Sequence, residues 1–297
     1  MSAAPVSKLG FFELRTRDIE RVATYYEQAL GLAVTERSPS TAYLATGPDH
    51  HCVVVATGAP DGRARLGFEL TCGLDEAASR LSTAGVANSR RTDAEPGIAD
   101  ALELTEPVTG TPIVLYERQA PTDAPSATPV TRPTKLGHLA GYVKDLATVR
   151  SFYEELLGFR WSDMVGDFFV FLRCNADHHA INLLQSDKRT GLFHVAFEMR
   201  DIVHLKDELD VLAANGIRLD WGPGRHGPGH NIFTYHRDPD GNIVELFTEI
   251  DVIRDERTDE FEPRPWHETR PQRPQVWDPT DEAANKWGPL YPGFIDR

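Results

Sequence analysis

An internal repeat constrains the fold of this chain more than any other feature of its sequence. In residues 14–31 and again in 141–158, an aspartate is followed by apolar residues at helical spacing and, 13 positions later, by a glycine. Aspartate is a preferred helix N-cap and glycine a preferred residue after a helix, so the pattern predicts two equivalent short helices. Each helix is expected to present one apolar face to a sheet. The capping residues are Asp18 and Asp145, and the glycines are Gly31 and Gly158.

Matching segments continue in the same order along both copies, so the repeat includes strands as well as helices. The pattern in each copy is strand, helix, short strands, helix and strands, which is typical of an α+β fold with mostly antiparallel pairing. Because such short helices cannot cover a sheet alone, we expect the two copies to pack together. The matching segments are 49–51 and 177–179 (Asp-His-His in both), 66–69 and 195–198, Gly85 and Gly216, and 110–116 and 241–247.

The composition between and after the copies predicts the domain boundaries. Residues 120–134 are rich in Pro, Ser and Thr, which is typical of a linker between an N-terminal domain, 1–119, and a C-terminal domain, 135–250. Residues 251–297 contain seven prolines and three of the five tryptophans. Because tryptophan is rarely left exposed to water, we expect this segment to be an extended arm packed on the body. Its role as a structural wrap, an active-site lid or an oligomer contact stays open.

Charge and cysteine content exclude several classes of partner. The 31 basic and 45 acidic residues give a net charge of −14 without a dense basic run, so nucleic acid is not an expected partner. No stretch reaches the roughly 18 consecutive apolar residues of a membrane span, and no membrane partner is expected. The N-terminus lacks the pattern of a secretory signal, and the three cysteines are widely separated. We therefore expect a cytoplasmic protein without a disulfide framework or a thiolate zinc site.

Metal-binding residue types are concentrated in the second copy. Of the eleven histidines, only two precede residue 138, and alignment of the copies places His138, His194 and Glu245 on three strands. Each alone has an ordinary explanation, a hydrogen-bonded core histidine or a solvent-facing glutamate. Together, two imidazoles and one carboxylate form the facial triad that leaves positions open for a chelating substrate and O2 on non-haem Fe(II). The equivalent residues of the first copy are Phe11, Arg65 and Val114.

These three residues, together with Gly224-Arg225-His226 and the Tyr-x-x-Asp-Pro-Asp-Gly segment at 235–241, resemble the type I extradiol ring-cleavage dioxygenases of the vicinal oxygen chelate superfamily, which include catechol 2,3-dioxygenases. The resemblance covers about residues 8–250 and is most specific over 136–247. It implies an α+β fold of two domains, each of paired βαβββ modules that form a cupped mixed or antiparallel sheet. It also implies a metal in the C-terminal domain only, and a homo-oligomer.

The activity implied by the resemblance is extradiol cleavage of a catechol-type vicinal diol by O2, which gives a ring-opened semialdehyde or oxo acid. The implied site contains Fe(II), with Mn(II) as the alternative, and no further cofactor. One residue would act as an acid and base beside the O2 site, and two would hydrogen-bond the bound catecholate. The implied metal ligands are His138, His194 and Glu245, the acid/base residue is His179, and the catecholate partners are His226 and Tyr235.

The sequence leaves several alternatives open for the function and for the roles of individual residues. A glyoxalase or epimerase would use a divalent metal without O2, and a drug-sequestering protein on the same scaffold would need no metal. Because Asp-His-His recurs in the first copy, His179 serves either the chemistry or the fold. Arg225 and Arg264 are candidates to pair with a substrate carboxylate, although exposed arginines are commoner. The glycine-proline segment 222–229 is expected to form a loop over the pocket. Spacing assigns only surface or structural roles to His204, His230, His236 and His267.

Overall fold

Two curled mixed sheets contain most of the strands of this chain, as the predicted α+β fold requires. A computed structural model describes residues 4–60, 64–122 and 131–290. Each sheet consists of two βαβββ modules, so the module pattern expected from the repeat and from the family resemblance is confirmed.

The first sheet has eight strands in the order β2-β3-β4-β1-β5-β8-β7-β6. Strands β1 and β5, one from each module, pair antiparallel at the centre, whereas β1 with β4 and β5 with β8 are parallel pairs. The elements are β1 (Val6–Thr16), α1 (Ile19–Thr24), β2 (Ala33–Arg37), β3 (Thr41–Ala45), β4 (Val53–Thr57), β5 (Arg65–Leu70), α2 (Leu74–Thr83), β6 (Asn88–Glu95), β7 (Ile98–Thr105) and β8 (Pro112–Tyr116).

The second sheet repeats this arrangement and gains a ninth strand from the C-terminal segment. Its order is β14-β15-β16-β13-β9-β12-β11-β10-β19. The elements are β9 (Lys135–Val143), α3 (Leu146–Ser151), β10 (Arg160–Val165), β11 (Phe169–Arg173), β12 (Ile181–Gln185), β13 (Gly191–Glu198), α4 (Ile202–Ala214), β14 (Trp221–Arg225), β15 (Ile232–Arg237), β16 (Ile243–Thr248), β17 (Ile253–Asp255), β18 (Glu260–Phe261), β19 (Gln275–Trp277) and α5 (Asp281–Ala284).

The two predicted capped helices are present, with one difference in geometry. Asp18 and Asp145 each accept a hydrogen bond of 3.0 Å from a backbone N–H of the first turn, and Gly31 and Gly158 have φ values of 66° and 75°. Each helix, however, ends in a π-helical turn that inserts extra residues before the glycine, and the sequence pattern did not indicate this widening. The π-helical turns are Tyr25–Ala29 and Phe152–Leu156.

The two sheets share one continuous apolar core. Phe12 of the first sheet packs edge-on against Phe197 of the second, with ring centroids 6.2 Å apart. A buried hydrogen bond of 2.6 Å joins Tyr25 Oη to His236 Nε2, so His236 is structural rather than a surface residue. We propose that each sheet with its helices is one domain. The predicted linker, 120–134, lies partly outside the described residues, which omit 123–130.

The C-terminal segment packs on the second sheet as an extended arm. Its strand β19 pairs in parallel with β10, and the short helix α5 follows. Trp266 and Trp277 are partly buried, but Trp287 is 54% exposed and covers the buried guanidinium group of Arg225 instead of entering the core. Within the described residues, no helix has the length and apolar character needed to cross a membrane.

Candidate metal centre and active site

Three neighbouring strands of the second sheet carry the predicted metal ligands. Ala196 of β13 pairs with His138 of β9 on one side and with Glu245 of β16 on the other. His194 lies two residues before Ala196, and side chains two residues apart on a strand point to the same face of a sheet. The register of three strands therefore directs all three polar side chains into one cup.

The three side chains meet at a single point. His138 Nε2 lies 3.2 Å from His194 Nε2 and 3.1 Å from Glu245 Oε2, and His194 Nε2 lies 3.1 Å from Glu245 Oε2. Each residue is at most 3% exposed. Adjacent ligands of an octahedral divalent ion with bonds of about 2.1 Å are separated by √2 times that length, about 3.0 Å. The triangle therefore has the donor types and the dimensions to hold one divalent metal on three adjacent positions.

The electrostatics of this triangle keep Glu245 and His194 in the forms that bind cations. Burial by itself would raise the pKa of Glu245, but the adjacent His138 and His194 hold it well below its usual value. Burial lowers the pKa of His194 and so favours its neutral form. Asn231, which sequence reasoning missed, donates a 2.9 Å hydrogen bond to Glu245 Oε1 and leaves Oε2 turned to the histidines. This contact orients the carboxylate in the way that residues behind a metal ligand commonly do.

A cavity opens above the triangle. All six residues predicted for the site line it, and among the described residues no lysine or arginine does. Such a wall suits an aromatic ring that carries no charged substituent. Most of the wall is apolar and comes from Tyr142, Val165, Phe168, Phe169, Phe171, Leu184, Phe193, Pro228, Pro279 and Ala283.

His179 lies beside the triangle. Its ring centroid is 4.3 Å from that of His138, and its Nδ1 is 2.8 Å from His178 Nδ1. Burial, followed by the neighbouring histidines, lowers the pKa of His179 well below its usual value, so the ring is neutral at pH 7. The Nε2 edge of a neutral His179 is therefore the part available to the cavity.

His226 is oriented by the C-terminal arm. Its Nδ1 donates a 2.6 Å hydrogen bond to the carbonyl of Ala284, and its ring stacks on Phe233 with centroids 3.8 Å apart. Burial lowers the pKa of His226 to about 4, so the ring is neutral at pH 7. Because the carbonyl requires the proton on Nδ1, Nε2 carries a lone pair. It lies 3.8 Å from Glu245 Oε1, on the cavity side.

Tyr235 is the third polar residue around the triangle. It pairs with Glu245 across β15 and β16, and its ring centroid is 5.2 Å from that of His194. Burial and then the Glu245 carboxylate raise the pKa of Tyr235 well above its usual value. Its hydroxyl is therefore protonated at neutral pH and able to donate a hydrogen bond.

The arm closes one side of the cavity, a role that the sequence left open. The N–H of Gly227 donates to Ala283 O at 3.0 Å, and the N–H of Lys286 donates to Arg225 O at 2.7 Å. Segment 222–229, expected to be a loop, begins as the edge strand β14, because its backbone pairs with β15. Only the residues after Arg225 form the predicted loop. The arm residues that line the cavity are Pro279, Thr280, Ala283 and Ala284.

Neither arginine proposed for a substrate carboxylate lines the cavity. Arg225 is only 7% exposed, donates to His230 O and Glu249, and stacks on Trp266 and Trp287. Arg264 pairs with Glu262 at 3.2 Å. Arg225 therefore joins the body to the arm, whereas Arg264 pairs within the arm, and the expectation of an ordinary exposed residue is wrong for Arg225. The four histidines left without a role, His204, His230, His236 and His267, are all buried and are therefore structural rather than surface residues.

In the first sheet, the positions that correspond to the metal triangle carry other residue types. Phe11, at the position of His138, is fully buried and packs on Tyr116 with ring centroids 6.0 Å apart. Arg65, at the position of His194, pairs with Glu13 at 2.7 Å and also with Glu95. A guanidinium group between two carboxylates thus lies at the position of His194, and Phe11 belongs to an apolar cluster at the position of His138.

Comparison with known proteins agrees with this architecture. A family model described as "Glyoxalase/Bleomycin resistance protein/Dioxygenase superfamily" matches residues 8–97 and 135–246. This chain belongs to that superfamily. The superfamily resemblance inferred from His138, His194, Glu245 and the segments 224–226 and 235–241 is thereby confirmed.

Curated relatives of this superfamily member include ring-cleavage enzymes. Metapyrocatechase 2 of Cupriavidus necator is 29% identical over 171 residues, which cover 56% of this chain and 48% of that protein, so the matched region spans about half the length of the relative. Biphenyl-2,3-diol 1,2-dioxygenase of Paraburkholderia xenovorans is 23% identical over 92% of this chain and 94% of its own length.

Solved structures show the same fold. Homoprotocatechuate 2,3-dioxygenase from Arthrobacter globiformis superposes with a TM-score of 0.84 at 23% identity and covers 100% of this chain and 92% of its own. A Mn(II)-bound glyoxalase from Novosphingobium aromaticivorans has a TM-score of 0.81 at 25% identity and covers 96% and 91%. The fold of this superfamily member is thus shared by proteins named for different reactions, and the site must decide between them.

Proposed function

We propose that this protein is a metal-dependent extradiol dioxygenase that cleaves an aromatic vicinal diol with O2 and releases a ring-opened semialdehyde or oxo acid. The observation that carries the proposal is the buried triangle of His138, His194 and Glu245 on the floor of a largely apolar cavity. The names of the relatives, metapyrocatechase and biphenyl-2,3-diol 1,2-dioxygenase, support the same reaction class.

The metal is proposed to be Fe(II), with Mn(II) as the alternative. When bound by the triangle, it supplies Lewis acidity toward the two diol oxygens and open coordination positions. Both metals occur in the names of relatives, an iron-dependent extradiol dioxygenase from Rhodococcus jostii and a manganese-dependent 2,3-dihydroxybiphenyl 1,2-dioxygenase from Geobacillus. Elemental analysis of protein purified without added metal distinguishes the two.

Three side chains form hydrogen bonds with the diol or transfer its protons. The Nε2 lone pair of His226 accepts a hydrogen bond from a diol hydroxyl, whereas the protonated Tyr235 donates one to a diol oxygen. His179 is the acid/base residue, since its neutral ring can take a proton at one edge and return it later. A positioned acid/base group contributes about 10²–10⁴ in rate.

The cavity wall indicates the class of diol. We propose a substrate whose ring carries an uncharged, bulky substituent, because aromatic and aliphatic side chains surround the space and the described residues place no cationic side chain there. A substrate carboxylate in this cavity would lose its hydration without gaining a cationic partner among the described residues. The values of kcat/KM for 2,3-dihydroxybiphenyl, catechol and 3,4-dihydroxyphenylacetate are expected to fall in that order.

The decisive experiment measures O2 consumption. The protein is reconstituted anaerobically with Fe(II) or Mn(II), mixed with O2 and a vicinal diol, and followed with an oxygen electrode and by the absorbance of a yellow ring-fission product. The matched control is Glu245→Gln, which keeps the shape of the side chain but removes its charge. If the loaded protein consumes no O2 with any vicinal diol, the proposal fails and the metal-dependent glyoxalase alternative, which the Mn(II)-bound structural relative favours, takes its place.

We also propose that the protein is a homo-oligomer, as expected from the resemblance. Sedimentation equilibrium of the metal-loaded protein tests this point. A mass equal to one 33.1 kDa chain would contradict it.

A further inference from the structure

One side chain of the cavity wall is neither apolar nor used by the proposed reaction. Asn182 of β12 lines the cavity and is only 2% exposed. Its Oδ1 has no hydrogen-bond partner among the described residues. Most buried amide groups in proteins are hydrogen-bonded, and an exception calls for an explanation. A ligand in the cavity that brings its own hydrogen-bonding group would provide one.

The strand around Asn182 favours an apolar residue at this position. Asn182 lies inside β12 and pairs with Phe171 of β11 on one side and with Ala140 of β9 on the other. Its neighbours Ile181 and Leu183 point away from the cavity into the apolar core. Asparagine is depleted in strands, where β-branched and aromatic side chains pack better. Neither strand propensity nor packing therefore explains an asparagine here.

The first copy shows what the fold requires at the same position. Alignment of the Asp-His-His segments at 49–51 and 177–179 places Val54 at the position of Asn182. Val54 is 1% exposed and belongs to the apolar cluster that contains Phe11. A valine is thus sufficient for the fold, and the amide is a property of the copy that carries the His/His/Glu triangle.

The register of the sheet places Asn182 near a diol held at the triangle. Ala140 pairs with Asn182 on one side and with His194 on the other. Neighbouring strands are about 4.8 Å apart, so the Cα atoms of Asn182 and His194 are separated by about 10 Å. Because the side chain of Ala140 is a single methyl group, no large side chain of β9 stands between them. A short ring substituent that extends over Ala140 therefore reaches the amide.

The chemistry of the amide and of the wall selects the kind of substituent. Rotation about the Cβ–Cγ bond of Asn182 presents either Oδ1, an acceptor, or Nδ2, a donor. A hydroxyl group can both donate and accept, and it carries no charge. It therefore suits a wall to which the described residues contribute an amide but no cationic side chain.

We propose that Asn182 is a specificity-determining residue that binds a hydroxyl group on the ring substituent of the diol. The inference rests on the proposed function for the diol itself, and it adds a third hydrogen-bonding group to the two diol oxygens. A site that hydrogen-bonds a substrate hydroxyl discriminates against an analogue without it, because the polar group of the site is then left unpaired. The substrate class is a vicinal diol with an uncharged, hydroxyl-bearing substituent.

The test compares diols of the same shape. In 3- and 4-(hydroxymethyl)catechol, a hydroxyl group replaces the terminal methyl group of 3- and 4-ethylcatechol. Wild-type kcat/KM is expected to be at least about tenfold higher for the hydroxymethyl member of one pair. Asn182→Val, which introduces the residue type of the first copy, is expected to reverse this preference, because the hydroxyl group then loses its hydration without gaining a partner. Leu184→Val changes the same wall without removing a polar group and is expected to keep the wild-type ratio.

A second readout does not use turnover. Dissociation constants of the four diols are measured by anaerobic titration calorimetry with the Mn(II)-loaded wild type and the Asn182→Val variant. The wild type is expected to bind the hydroxymethyl member of the same pair more tightly, and the variant is expected to lose this preference. A wild type that binds both members of each pair equally, or a variant that keeps the wild-type preference, would overturn the proposal. If the wild type cleaves no diol but shows the binding preference, the proposed function fails and the assignment of Asn182 stands.

Discussion

Tyr235 and Glu245 lie directly opposite each other on the antiparallel strands β15 and β16. The Asp-Pro-Asp-Gly turn at 238–241 connects these strands, and Gly241 adopts the positive φ of 87° that the turn requires. The pairing brings a phenol beside a buried carboxylate whose charge helps to keep the phenol protonated. One short turn therefore positions both the proposed metal ligand Glu245 and the proposed substrate partner Tyr235.

Replacement of Tyr235 by Phe is expected to lower kcat/KM for the diol and leave the metal in place. The ring still packs beside His194, but the donor to the diol oxygen is lost. A hydrogen bond to a charged group contributes about 1.5–3 kcal/mol, so the loss should be about 10-fold to 100-fold. Steady-state kinetics and metal analysis check this, with Tyr116→Phe in the first sheet as the control. A metal-free Tyr235→Phe protein would show that the hydroxyl serves the triangle instead.

Glu245→Gln is expected to abolish metal binding at stoichiometric concentrations. The change removes the only negative charge of the triangle and replaces one carboxylate oxygen by an N–H donor. Binding of Mn(II), followed by electron paramagnetic resonance, measures this directly. Retention of one tightly bound ion per chain would place the metal elsewhere.

Asn231→Ala tests the residue that donates a hydrogen bond to the Glu245 carboxylate. The variant keeps all three donors but loses the 2.9 Å hydrogen bond that orients Glu245. Residues in this position typically contribute about 10-fold to 100-fold to metal affinity, so a loss in that range is expected. Competition with a chelator gives the dissociation constant. Wild-type affinity would mean that packing alone orients the carboxylate.

Leu184→Lys tests the proposed selectivity for uncharged diols. Leu184 is buried in the cavity wall on β12, where an ammonium group can meet a substrate carboxylate. The ratio of kcat/KM for a carboxylated diol to that for 2,3-dihydroxybiphenyl should rise at least about tenfold, since a charge-assisted hydrogen bond contributes more than 1 kcal/mol. Lysine at the neighbouring Leu183, which packs in the apolar core instead of the wall, serves as the comparison.

Asp251 contacts His230 of the loop beside the cavity and His267 of the arm. These two contacts predict that the stability of the protein depends on pH. Asp251 Oδ2 lies 2.7 Å from His230 Nδ1, and Oδ1 lies 2.8 Å from His267 Nε2. Burial would raise the pKa of Asp251, but the two histidines lower it from 3.8 to about 2. A lowered carboxyl pKa stabilises the folded protein at pH values above 4, and this stabilisation is lost as the pH falls from about 4 to about 2.

Asp251→Asn is therefore expected to reduce the free energy of unfolding by about 2 kcal/mol more at pH 6 than at pH 2. Guanidinium chloride unfolding at the two pH values measures the difference. Because distant carboxyl groups titrate equally in both proteins, the comparison isolates Asp251 together with its two histidine partners. A deficit that does not change with pH would mean that the side chain contributes only through its shape.

Local sequence patterns predicted much of the fold. The N-caps at Asp18 and Asp145 and the glycines 13 residues later act within a few turns of chain, so the helices were placed correctly from neighbouring residues alone. The π-helical turns were not, because they depend on how each helix packs on its sheet rather than on a local signal.

The buried positions of Arg225, His230 and Asp163 were also missed. Their partners lie in the arm or in distant strands. When only neighbours along the chain are considered, polar residues of this kind are predicted to lie at the surface.

The amino-acid sequence by itself determined the repeat, the module pattern and the asymmetry between the two copies, because capping, alternation and residue type are properties of short segments. Only the tertiary structure decided that His138, His194 and Glu245 meet within 3.2 Å, that the first cup contains an arginine between carboxylates, and that the arm closes the cavity and orients His226. These outcomes depend on strand register and on contacts between residues up to about a hundred positions apart, which no local pattern specifies.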